Sequence, residues 1–191
     1  MEQRQAITDP ARISALAARI DRPIVLVGMM GVGKSSLGKR LASLLGFRFV
    51  DADDEIEKAA QMTIPEIFAT HGEAYFRDGE RRVIARLMTE RGARMVIATG
   101  GGAFCNDETR ALILDKGIAV WLDSDVDTLV ERTARKNNRP LLQGGDPREI
   151  LARLRDERQA HYCQAPIHVH SGNGPHTDTL RKILEGIDSW L

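Results

Sequence analysis

The chain has 191 residues, enough for one well-buried core and too few for several large domains. Its 27 acidic and 27 basic side chains cancel, so no overall field draws it to nucleic acid or to an anionic membrane, and neither is expected as a partner. No apolar stretch is long enough to span a bilayer.

Met1 to Pro10 is polar and lacks the apolar core of a secretory signal. Residues Ala11 to Ile20 then repeat at helical spacing, with Ile13, Leu16, Ala17 and Ile20 on one face. Residues 1–22 are therefore read as an extension carrying one helix, and residues 23–191 as a single domain. That domain opens on the apolar run Ile24–Val27, a buried strand. Gly28 to Ser35 follow directly as G-M-M-G-V-G-K-S, the phosphate-binding pattern G-x-x-x-x-G-K-[ST], and a helix is expected from about Lys34 to Leu45. Strand, glycine-rich turn and helix agree on a nucleoside triphosphate. The glycines let successive amides of Gly31, Val32, Gly33, Lys34, Ser35 and Ser36 face phosphate oxygens at the positive end of the helix. Lys34 reaches the β- and γ-phosphates, and the Ser35 hydroxyl is a ligand for Mg²⁺.

Further strands are expected at Phe47–Val50, Met95–Ala98, Ile118–Leu122 and Ile167–Val169. Helices are expected at Asp54–Ala60, Ile64–His71, Glu80–Glu90, Asn106–Asp115, Asp125–Lys136, Pro147–Gln159 and Thr177–Trp190. Asn137–Pro147 is rich in proline, glycine and asparagine, and reads as a mobile loop of the size of a lid. Strands alternating with helices predict an α/β fold of three layers, a parallel sheet covered on both faces, with ligands beyond the C-terminal ends of the strands. Three strand ends carry conspicuous groups: Gly28 onward, Asp51-Ala52-Asp53, and Gly100-Gly101-Gly102.

Asp51 follows an apolar run and suits a carboxylate near Ser35 and a metal ion; Asp123 follows another, but a helix cap at Asp123-Ser124 explains it without a function. Asp53 lies two residues on, so in an extended segment both carboxylates of Asp51 and Asp53 face one site. One could serve the metal while the other receives hydrogen bonds from hydroxyls. Three consecutive glycines imply that a ligand or another backbone comes close. Arg77 and Arg139, with Arg132, Arg135, Arg153, Arg155 and Arg158 flanking the loop, are candidates to neutralise a moving phosphoryl group or to grip a carboxylate. His168 and His170 share a strand face but have no carboxylate or cysteine close in sequence to complete a metal site, and Trp121 reads as core. Cys105 and Cys163 lack metal-ligand spacing and read as free thiols of a cytoplasmic protein.

The motifs G-M-M-G-V-G-K-S, D-A-D-D-E-I-E, F-R-D-G-E, T-G-G-G-A-F and R-P-L-L, in that order, closely resemble those of shikimate kinases from about Arg22 onward. The resemblance implies a P-loop NTPase of the nucleoside-monophosphate-kinase type, with a five-stranded sheet of order 2-3-1-4-5. It implies a monomer that moves the γ-phosphate of ATP to the 3-hydroxyl of shikimate, with Mg²⁺ as cofactor. It further implies that Asp53 orients the acceptor and that Arg77, Gly100, Gly101, Gly102 and Arg158 hold it, with Glu80 bracing Arg77. Arg139 would be the arginine of the lid at about 137–147, Arg132 would stack on adenine, and Asp51 would reach the metal through water. The chain departs from the family at Arg158-Gln159-Ala160-His161-Tyr162, where a proline usually stands between arginine and tyrosine. A gluconate kinase would share the phosphate loop but not the combination of Asp53, Arg77 and three glycines. A GTP switch would carry an N-K-x-D motif, which is absent from the sequence.

Overall fold

The structure is a computed structural model that describes residues 9–90, 94–134, 145–172 and 174–191. Its elements in order are α1 (Pro10–Arg19), β1 (Ile24–Val27), α2 (Lys34–Leu45), β2 (Arg48–Asp51), α3 (Ala52–Ala60), α4 (Ile64–Thr89) and β3 (Met95–Ala98). After a 3₁₀ turn at Ala103–Cys105 come α5 (Asp107–Lys116), β4 (Ile118–Asp123), α6 (Val126–Ala134), α7 (Pro147–Tyr162), β5 (Ile167–His170) and α8 (His176–Trp190).

The five strands form one sheet of order β2-β3-β1-β4-β5, and every pairing in it is parallel. Central strands buried on both faces cannot alternate polar and apolar residues. Accordingly β1 is Ile-Val-Leu-Val, each residue 0 % exposed. The register aligns the functional ends. Asp51 is opposite Ala98, and Ala98 is opposite Leu26, so the phosphate loop, Asp51 and the glycine triplet leave the same edge of the sheet.

Local chemistry fixes the ends of the helices. Gly33 caps α2 at φ 100°, a conformation that a residue with a Cβ rarely adopts. Thr63 and Glu66 form a reciprocal capping box at the start of α4. Helix α1 buries Ile13, Leu16 and Ala17, and with Ile20 they join the same core as the sheet. Arg19 is paired with Asp188 of α8 at 2.5 Å, and Arg22 lies over Trp190 at 5.7 Å.

Three expectations are corrected. Strand β2 runs one residue later than the apolar run suggests, and Asp51 is both its last residue and the N-cap of α3. Asp53 therefore sits in the first turn of a helix rather than in an extended segment, because the Asp51 carboxylate accepts from the Asp53 amide at 3.2 Å and starts the helix there. The two helices expected on either side of residues 72–79 are one helical run, α4, interrupted only at Gly72 (φ 80°). This places Arg77 on a helix, where positions three and four apart meet.

Candidate active site

A cleft of about 330 Å³ opens at the C-terminal edge of the sheet, lined by the phosphate loop, Asp51, Asp53, Thr99, Gly100, Gly101, Arg132 and His176. Gly31, Gly33, Lys34, Ser35 and Ser36 form its loop side, and Val32, next to them, is buried in the core. Lys34 is only 8 % exposed, and its ammonium donates to the carbonyls of Gly28 and Met29 at 2.8 and 2.9 Å. The loop's own backbone thus holds this cation over the place where phosphates would lie.

Ser35 Oγ donates to Asp51 Oδ2 at 2.6 Å, while Asp51 Oδ1 caps α3. Two hard oxygens so placed fit Mg²⁺, which takes one or two protein ligands and fills the rest of its octahedron with water and phosphate oxygens. Among the described residues no cluster of three or more His, Cys, Asp or Glu could hold a metal by itself. Asp123 is occupied elsewhere, paired with Arg155 at 3.0 Å. The Ser124 hydroxyl donates to the Ser171 carbonyl at 2.7 Å. Asp123 and Ser124 thus tie β4 to α7 and to the end of β5.

The acceptor side is built on the glycine triplet, and the triplet is small because charged side chains press on it. A Cβ on Gly100 would lie 2.3 Å from Glu80 Oε1 and 3.1 Å from Asp53 Oδ1. One on Gly102 would lie 2.6 Å from Arg77 Nη1, and one on Gly101 would lie 3.3 Å from both Arg158 Nη1 and the Met30 amide nitrogen. Asp53, Glu80, Arg77 and Arg158 thus converge on three consecutive residues. Arg77 Nη1 donates to Glu80 Oε2 at 2.8 Å, and its other nitrogens bond Glu73. Glu80 is 2 % exposed, and its Oε1, like Arg158 Nη1, is buried with no hydrogen-bond partner among the described residues. Burial pushes the Glu80 carboxyl above its ordinary value, against the pull of Arg77, Arg158 and Lys34. Fixed arginines beside paired carboxylates suit a small molecule with a carboxylate at one end and hydroxyls at the other.

On the nucleotide side, Arg132 donates to the carbonyls of Val32 (3.3 Å) and Gly172 (2.7 Å), bridging α6, the loop and the end of β5. Arg139, and residues 137–144 of the expected lid, lie outside the described residues, as does Arg135; Asp146 caps α7. His168 and His170 do share an exposed face of β5; His168 stacks on Trp121 at 4.0 Å and His170 lies 3.8 Å from Asp125. Both cysteines are free thiols.

Sequence reasoning missed Thr99 and His176 as lining residues and gave Tyr162 no role. Thr99 is the first residue after β3, and His176 opens α8 just beyond the end of β5. The rule that ligands gather at strand ends points to both. Burial, then Arg40 and Arg132, hold the His176 imidazole below its ordinary pKa.

Comparison with known proteins supports the same reading. A sequence model of the family described as "Shikimate kinase" matches residues 30–188. The chain is 66 % identical to a shikimate kinase of Novosphingobium aromaticivorans over the whole length of both proteins. Among solved structures it is similar to the Acinetobacter baumannii shikimate kinase in complex with shikimate, with TM-score 0.86 and 39 % identity over 91 % of this chain and 97 % of that one. A gluconokinase from Sinorhizobium meliloti shares the fold alone, with TM-score 0.56 and 18 % identity over 90 % of this chain and 94 % of that one.

Proposed function

The chain belongs to the shikimate kinase family, and from that footing we propose how its residues divide the transfer of the γ-phosphate of ATP to the 3-hydroxyl of shikimate. The reaction gives shikimate 3-phosphate and ADP, a step toward chorismate and the aromatic amino acids. The observation that carries the proposal is the convergence of Asp53, Glu80, Arg77 and Arg158 on Gly100–Gly102, beside the phosphate loop.

The loop amides of Gly31 to Ser36 cradle the β- and γ-phosphates, and Lys34 neutralises charge on the oxygens between them. Ser35 and Asp51 would hold Mg²⁺. The chemistry it would supply there is neutralisation of negative charge that builds on the phosphate oxygens during transfer. Arg77 and Arg158 grip the shikimate carboxylate, with Arg77 held in aim by Glu80 and Glu73. The Asp53 carboxylate accepts a hydrogen bond from the 3-hydroxyl and points its oxygen at the γ-phosphorus. As that O–P bond forms and the bond to the β-phosphate oxygen breaks, Asp53 receives the hydroxyl proton and ADP leaves. Arg132 would lie against the adenine, and Arg139, from the expected lid at 137–147, would join the transferred group. We place the protein in the cytoplasm, where its thiols stay reduced, acting as a monomer.

Asp53→Asn tests this division. It keeps the shape and loses the base, so kcat falls by about a hundredfold or more while shikimate KM changes little. Unchanged kcat would overturn the role of Asp53.

A further inference from the structure

Tyr162 has no part in the division of labour above, yet among the described residues it is the largest fully buried side chain, at 1 % exposure. It is the last residue of α7, one turn beyond Arg158, and so on the same face of the helix. Its hydroxyl donates to the Gly101 carbonyl and lies 3.9 Å from Met29 Sδ of the phosphate loop. Its ring stacks against Trp121 of β4, centroids 6.0 Å apart. Gly101 itself is wedged between Arg158 and the phosphate loop, as the two 3.3 Å approaches to its Cβ position show. One phenol thus ties together the helix that carries Arg158, the glycine that Arg158 covers and the sheet beneath. Burial keeps this hydroxyl protonated, and hence a donor, against the pull of Arg158.

A residue that merely filled the core would need no hydroxyl. We propose that Tyr162 is a positioning residue for the acceptor: its bond to Gly101 fixes the Arg158 guanidinium at the distance from the glycine triplet that the shikimate carboxylate requires. Without the bond, the end of α7 has one anchor fewer, and small displacements of a gripping group weaken binding steeply. The proposal rests on Arg158 as a ligand of that carboxylate.

The test is steady-state kinetics on Tyr162→Phe, which keeps the ring and its stacking, on Arg158→Lys, and on the double variant. Tyr162→Phe is expected to raise shikimate KM roughly fivefold, with ATP KM and kcat changed by less than about twofold. In the Arg158→Lys background the same change should have almost no further effect, because both act through one contact. An unchanged shikimate KM in Tyr162→Phe, or an equal effect in both backgrounds, would reduce the hydroxyl to a structural tie and overturn the proposal. An unchanged shikimate KM in Arg158→Lys would instead overturn the assignment of Arg158. Should Tyr162→Phe fail to fold, Trp121→Phe retains the hydroxyl and loosens its stack. It should raise shikimate KM in the same direction, and an unchanged value would overturn the proposal.

Discussion

Lys34 and Arg77 illustrate two ways in which one charged side chain can matter. Lys34 is held by two backbone carbonyls of its own loop, so its cost of positioning is met before any phosphate arrives. Lys34→Ala should lower kcat by about a thousandfold with the fold intact, measured by coupled ADP release and circular dichroism. Arg77 works with a buried partner. Arg77→Ala should raise shikimate KM by about a hundredfold. It should also lower the melting temperature, since Glu80 would stay buried without its main cation. Glu80 gives a pH signature of unusual sign. Its folded pKa lies above the ordinary 4.5, so the folded state holds that proton more tightly than the unfolded chain. Its contribution is favourable below pH 4.5 and is lost as the pH rises through the raised folded pKa. Glu55 and Asp78, held low by arginine and lysine partners, act in the opposite sense. From pH 4 upward the melting temperature of Glu80→Gln should therefore gain on that of the parent as the pH rises, and parallel curves would contradict this reading. At this scale the loop residues were legible because G-x-x-x-x-G-K-S states its own chemistry. Glu80 was legible as the brace of Arg77 only through the resemblance carried by F-R-D-G-E, and Tyr162 only by its spacing from Arg158, since nothing local marks a carboxylate or phenol that will be buried by contacts distant in sequence.

Between residues and the whole, the three glycines show how an element is shaped by what presses on it. Gly102→Ala would set a methyl group 2.6 Å from Arg77 Nη1 and must displace that guanidinium. It should raise shikimate KM while leaving ATP KM within about twofold, since the phosphate loop is not in that contact. Helix α1 belongs to the core but not to the cleft. Leu16→Ala, at a site 3 % exposed, should lower stability by about 3 kcal/mol by denaturant titration and leave kcat unchanged. Element types were largely readable: Ile24–Val27 and Met95–Ala98 are strands with the bounds their apolar runs suggest. The misses have local causes. Asp51 starts α3 early by capping it, and Gly72 only interrupts α4, where Phe76 is buried and Arg77 bonds Glu73 and Glu80 at helical spacing.

The whole molecule brings five segments distant in sequence to one edge of a parallel sheet: the loop after β1, the β2–α3 junction, the face of α4 with Arg77 and Glu80, the glycines after β3 and the face of α7. The parallel order could be expected from alternating strands and helices, and the register then determines that Asp51 and the glycines meet. What sequence order could not supply is depth: that Gly101 lies against Arg158, or that Trp121 stacks with both Tyr162 and His168. The gluconokinase likeness shows that this scaffold alone does not choose an acceptor. In the division of roles proposed above, the choice falls to Asp53, Arg77, Arg158 and the triplet. The decisive measurement is ADP release with Mg-ATP in the presence of shikimate, of gluconate, or of no acceptor. Turnover that requires shikimate and yields shikimate 3-phosphate is the result predicted here. Equal turnover with gluconate, or ATP binding that no acceptor converts to turnover, would contradict it.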